Sequence, residues 1–364
     1  MPFLLASQPG ANSWSLGSPD GHCAITVFLD EAGRLSYQAA REQRTVIGRS
    51  PLGLRRDDQS FDRGLLLTHA GEVEPRREAY DLFAGTRPHV EHLLNHRTLT
   101  FLNTKHGALE IELAASAEGV AFRYRFPEAA QEVRIVQEEL TGFALPRNAR
   151  GWLQPYHAAG PYTPAYEDFY FQVSPGEAPP DSRAKALGWG FPALFSVPDA
   201  ASWALLTESG TDESYCGCHL GPDSSDGLYH LTFPQADETT KGWTNRFGPE
   251  PRYTLPWTMP WRVIVLGQTA CDNATSTLVT DLAPSSQVEE TSWIKPGRAS
   301  WAWWSYPEGP ATAELFDRFT DLAASMNWDY TLFDAGWRRA GLEPSRRWRH
   351  VMPARGGFIL RLDR

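Results

Sequence analysis

Between residues 13 and 290 no helical period persists over twelve residues, while short apolar runs alternate with polar ones and glycine or proline punctuates nearly every gap. Alternation at a period of two puts successive side chains on opposite faces of a strand. Each such segment has one apolar face and needs a second layer to bury it against. Ala24-Ile25-Thr26-Val27-Phe28-Leu29, the turn Asp30-Glu31-Ala32-Gly33 and Arg34-Leu35-Ser36-Tyr37-Gln38 together read as a hairpin. The same pattern returns at Leu109–Leu113, Val120–Phe126, Trp203–Thr207 and Trp261–Leu266. The expectation is a mainly β protein whose residues 1–290 form an antiparallel β-sandwich domain. The Pro- and Gly-rich stretches Tyr156–Glu167 and Ser174–Ala184 read as surface connections.

Composition narrows the function classes. A chain of 364 residues suggests two domains, and 41% hydrophobic content supplies sizeable cores. A net charge of −10 argues against nucleic acid or an anionic membrane as partner. No apolar run reaches the ~18 residues that a membrane helix needs. The patch Phe3–Ala6 lacks a basic leader, so no signal peptide is read and localisation stays open. Four cysteines are too few for a disulfide framework, and Cys216-x-Cys218 lacks the second pair of a zinc site; ordinary buried thiols are expected. Tryptophan is enriched, at 14 residues. Flat indoles stack on the C–H faces of pyranose rings, but they also fill the core of a large sandwich.

The period changes in residues 291–364, after a linker at Ala283–Gly297. Ser300-Trp301-Ala302-Trp303-Trp304 alternates as a strand, with Trp301 and Trp303 on one face and Trp304 on the other. Pro310, Glu314 and Asp317 suit a helix start, and Leu315, Phe316, Phe319, Leu322, Ala323 and Met326 recur at helical spacing. Tyr330–Phe333 is a second strand. Strand, helix, strand implies a parallel βαβ unit, as at the opening of a (β/α)8 barrel. Asp334 and Trp337 would then lie at the strand end that faces a barrel's active-site mouth, although Asp334 could instead cap the next helix. From residue 338 the chain turns Arg-rich without a period, which reads as an aberrant tail, frameshifted or spurious, rather than as a nucleic-acid arm.

Two further features are candidate ligands. His92-x-x-x-His96 has metal-site spacing only on a helix, and Thr98–Leu102 beside it reads as strand. Glu208 ends an apolar strand just before Gly210. A strand-end acid is ordinarily solvated, but one turned toward a neighbouring domain could ligate a hard cation such as Ca2+.

Several segments together resemble glycoside hydrolase family 97, a family of α-glucosidases and α-galactosidases. They are Ser18–Gly21, Gly190–Phe195, Thr207-Glu208-Ser209-Gly210 with Tyr215-Cys216-Gly217, Pro260–Ile264, Ser292–Arg298 leading into Ser300–Trp304, and Asp334–Trp337. The resemblance implies an N-terminal β-super-sandwich packed on a (β/α)8 catalytic barrel, with calcium at the junction and Glu208 at the position of a sandwich-borne ligand. It implies an α-linked oligosaccharide as substrate, met by Trp301, Trp303, Asp334 and Trp337. In the family the two catalytic carboxylates lie on later barrel strands, so they are expected downstream of a chain truncated here, and its own turnover is left open. Family precedent favours an α-glucosidase. An α-galactosidase and a non-catalytic carbohydrate-binding β-sandwich are the alternatives. Family members are often periplasmic or secreted.

Overall fold

The computed structural model describes residues 12–160, 168–182, 184–236, 249–303, 305, 312–333 and 358–361. The chain divides into two compact units, residues 1–82 with 86–286, and residues 287–364 with 83–85.

The first unit is an antiparallel β-sandwich of a nine-stranded and a twelve-stranded sheet. The predicted hairpin is present as Cys23–Leu29 paired with Leu35–Arg41, and its turn closes through Gly33 at φ +69°. At Gly33 an added Cβ would lie 2.5 Å from the Leu65 backbone nitrogen, so glycine is required for space as well as for the left-handed conformation. The two sheets bury their apolar faces against each other. Tyr37 of the smaller sheet meets Phe122 of the larger with ring centroids 4.8 Å apart. Burial at roughly 25 cal/mol per Å2 of apolar surface makes this interior the main stabilising element.

The strand Trp261–Gly267 is buried along its whole length. It lies between Ser202–Ser209 and the long strand Gly119–Glu139, so neither edge is free. Its Ile264 and Leu266 enter the sandwich interior. Trp261, Val263 and Val265 form a second apolar cluster with Leu278 and Leu282. The helices here are short: α1 (Ala270–Ala274), started by a Thr269–Asp272 capping box, and α2 (Leu278–Asp281).

In the second unit Ala299–Trp301 runs parallel to Tyr330–Phe333. Between them lies α3 (Ala313–Ser325), whose N-cap Thr312 accepts the Leu315 N–H. Phe316 of α3 packs edge-on against Phe333, with centroids 4.8 Å apart. Asn327, left-handed at φ 56°, ends the helix. The βαβ order is as expected, with three differences. The first strand stops at Trp301, because Ala302 and Trp303 leave the pairing. Leu322 and Met326 of the helical stripe are exposed. Phe358–Arg361, within the Arg-rich tail, forms a strand antiparallel to Tyr330–Phe333 rather than a parallel continuation. Pro310 and Trp304 lie outside the described residues. Of the pair Cys216-x-Cys218, Cys218 is buried as expected and Cys216 is half-buried; Cys23 is also buried and Cys271 exposed.

Candidate functional site

Glu208 and Arg262 face each other as register partners across the strands Ser202–Ser209 and Trp261–Gly267. Glu208 shares parity with Ala204 and Leu206, so it follows them toward the sandwich interior instead of into solvent. Its side chain is therefore only 15% exposed. Arg262 Nη1 donates to Glu208 Oε2 at 2.7 Å, and the Cys218 backbone N–H donates to Oε1 at 3.0 Å. The ordinary solvated strand-end acid is excluded by this geometry.

Arg262 is itself 1% exposed, as the one charged residue in a strand of apolar neighbours. Such a charge is tolerable in a core only with full compensation. Glu139 supplies it. Arg262 Nε donates to Glu139 Oε1 at 2.8 Å and Nη2 to Oε2 at 2.6 Å, a two-pronged pair. Tyr215 Oη donates to Glu139 Oε2 at 2.5 Å and the Thr141 hydroxyl to Oε1 at 2.8 Å.

The two carboxylates on this arginine are held in opposite ways. Burial opposes the Glu139 anion, but the Arg262 charge and the converging hydrogen bonds outweigh it and keep Glu139 below the usual carboxylate range. At Glu208 burial wins: Arg262 and the Cys218 N–H only partly offset it, the Glu139 charge adds to it, and the pKa rises. One arginine thus faces two carboxylates, giving two hydrogen bonds to Glu139 and one to the partly exposed Glu208.

His92 and His96 sit on the strand His89–Leu102, where residues four apart are about 13 Å distant, and they serve different surroundings. His96 packs edge-on against Trp261, and burial pushes its pKa down to about 4, with the Arg76 and Arg123 charges helping. His92 joins Glu118 and Asp281, whose ligand atoms lie within 4.8 Å of one another. All of these atoms are already engaged. His92 Nδ1 meets Asp281 Oδ2 at 2.8 Å, Tyr80 Oη donates to Asp281 Oδ1 at 2.6 Å, and Arg87 pairs with Glu118 Oε1. Glu118 Oε2 accepts the Ser276 hydroxyl at 2.7 Å and the Thr277 N–H at 2.8 Å. The cluster ties α2 to the sheet.

In the second unit Trp301 is half-buried and Trp303 is 41% exposed. Asp334 and Trp337 lie outside the described residues. Sequence reasoning named Glu208 but missed Arg262 and Glu139. The available signal was a lone arginine inside Trp261-Arg262-Val263-Ile264-Val265-Leu266.

Residues 16–284 match the family described as Glycosyl-hydrolase 97 N-terminal. The chain belongs to glycoside hydrolase family 97. It is 28% identical over 331 residues to a probable retaining alpha-galactosidase of Streptomyces bingchenggensis, covering 90% of this chain and 47% of the relative. It is 23% identical over 351 residues to a retaining alpha-galactosidase of Bacteroides thetaiotaomicron, covering 91% and 51%. The chain thus spans about half the length of the curated relatives it matches. Among solved structures, a beta-arabinopyranosidase superimposes with a TM-score of 0.75 at 27% identity, covering 87% of this chain and 50% of that one. A family 97 enzyme of Pseudoalteromonas sp. strain K8 in complex with panose gives 0.70 at 23% identity, covering 87% and 46%, a likeness of fold. No described helix is long and apolar enough to cross a membrane.

Proposed function

We propose that this chain serves a calcium-assisted α-glycosidase of the α-galactosidase type, with the sandwich contributing the Glu208 carboxylate to the metal. The observation that carries the metal role is the doubly anchored, net-negative carboxylate at the rim of an otherwise closed core. A carboxylate oxygen bound by one N–H keeps a second lone pair, so Glu208 fits one position of a hard, oxygen-coordinated cation. Bound calcium would supply charge that orients a sugar hydroxyl and steadies the developing negative oxygen. Further ligands and the two carboxylates that a retaining hydrolysis needs are not assigned among the described residues. Trp301, Trp303, Asp334 and Trp337 are proposed as sugar contacts of a barrel mouth, in line with the parallel pairing of Ala299–Trp301 and Tyr330–Phe333.

The galactoside preference draws on both curated relatives carrying the α-galactosidase name. The beta-arabinopyranosidase adds to it, because an arabinopyranose of the L series has the ring stereochemistry of galactose without its C6 hydroxymethyl. The α-glucosidase reading keeps one specific support, the panose complex of the Pseudoalteromonas enzyme. Hydrolysis of 4-nitrophenyl α-galactoside and α-glucoside by the full-length protein, with calcium and with EDTA, separates them. The expected result is galactoside turnover lost on chelation. A glucoside preference overturns the substrate assignment, and no turnover of either leaves the non-catalytic carbohydrate-binding sandwich.

A further inference from the structure

The fork between Arg262 and Glu139 does more than neutralise a buried charge. A guanidinium is planar, so anchoring Nε and Nη2 on both oxygens of Glu139 fixes the plane and, with it, the direction of the remaining Nη1 donor. That donor ends on Glu208 Oε2. Glu139 is fixed in turn by Tyr215 and Thr141, and the Thr141 hydroxyl meets Tyr124 Oη at 2.8 Å. The ring of Tyr215 lies 5.3 Å from the guanidinium carbon, closing the space through which Arg262 could swing. A continuous chain of hydrogen bonds therefore runs from the deep core to the rim and stops at one carboxylate oxygen. The other oxygen is set by the Cys218 N–H, and a Cβ on Gly217 would come within 3.4 Å of it.

We propose that Arg262, locked by Glu139, is a positioning residue that sets the placement and orientation of the Glu208 carboxylate for a divalent cation. The inference rests on the reading of Glu208 as a calcium ligand. A buried pair that served stability alone would be complete with Glu139. The third N–H of Arg262 goes to the acid at the rim, and so bears on the placement of that carboxylate. Cation affinity then depends on two residues with no lone pair directed at the ion, as outer-shell partners of metal ligands generally do.

The test is calcium titration by isothermal calorimetry on the full chain, with a thermal melt of each variant to show that it is folded. Glu208→Gln is expected to weaken calcium binding at least tenfold. Arg262→Lys keeps the charge but loses the fork, and Glu139→Gln keeps the shape but frees the guanidinium; each is expected to weaken binding about tenfold to a hundredfold. Tyr215→Phe removes one donor to Glu139 while keeping every charge, and about a threefold loss is expected. Wild-type protein that binds no calcium, or a Glu208→Gln variant that binds as wild type, overturns the ligand reading itself. Loss in Glu208→Gln with unchanged affinity in folded Arg262→Lys and Glu139→Gln overturns the positioning role alone. Should those two variants fail to fold, unchanged affinity in Tyr215→Phe overturns it.

Discussion

The sandwich unit holds two polar clusters built from similar parts, each with two carboxylates and an arginine. Around Asp281 the carboxylate is wholly buried and answered by Tyr80 and His92, while Arg87 closes Glu118. Around Arg262 the inner carboxylate, Glu139, is equally closed, yet the outer one, Glu208, accepts two hydrogen bonds where the similarly exposed Glu118 accepts three. The difference separates a clamp from a site. A cluster whose donors and acceptors are all used up fastens one element to another. A cluster that ends on an incompletely answered acid can accept something more.

This contrast predicts a ranking of stability effects. The largest loss belongs to Glu139→Gln, which leaves the fully buried Arg262 short of compensation; about 3–5 kcal/mol is expected from urea denaturation. A loss below about 1 kcal/mol would mean that Glu208 alone can satisfy the arginine. Asp281→Asn comes next, at about 1–3 kcal/mol, since Tyr80 and His92 lose an anionic partner.

Acidity sharpens the comparison further. The folded-state pKa of His96 is depressed, so its contribution is fully present above the ordinary value of 6.5 and is lost as pH falls toward about 4. Wild-type stability should therefore decline across that window, and His96→Phe should flatten the decline. An unchanged slope would show that another group titrates there. The two glutamates on Arg262 should respond with opposite signs. Glu139, held below 4.5, contributes stability that is lost as pH falls through its folded value. Glu208, raised above 4.5, contributes stability that is present at low pH and lost as pH rises through its folded value. The smallest effect is that of Glu208→Gln at neutral pH and without calcium, within about 1 kcal/mol, because Glu139 still answers the arginine. A loss as large as that of Glu139→Gln would make Glu208 a structural residue.

The strands of the sandwich were legible because alternation is a local signal. The hairpin from Cys23 to Arg41 and the run Trp261–Gly267 stand where the pattern puts them. The site was legible only in part. Glu208 could be named, but the direction of a strand-end side chain depends on which face of the strand is buried. Its partners are also remote: Arg262 is 54 positions from Glu208, and Glu139 is 123 from Arg262. Only the sheet order brings them together. His92 and His96 lie on a strand, as the neighbouring Thr98–Leu102 pattern suggested, and a separation of four that joins residues on a helix parts them there. Tryptophan occurs both in the core, at Trp189 and Trp257, and at the surface, where Trp293 is 70% exposed.

On this reading the sandwich presents Glu208, and not the better-populated His92 cluster, to a cation. A crystal structure of the protein grown with calcium and checked with terbium anomalous scattering tests it most directly. An ion is expected about 2.3–2.6 Å from a Glu208 carboxylate oxygen, with Arg262 still forked on Glu139. An ion seated between His92, Glu118 and Asp281, with none at Glu208, would contradict it.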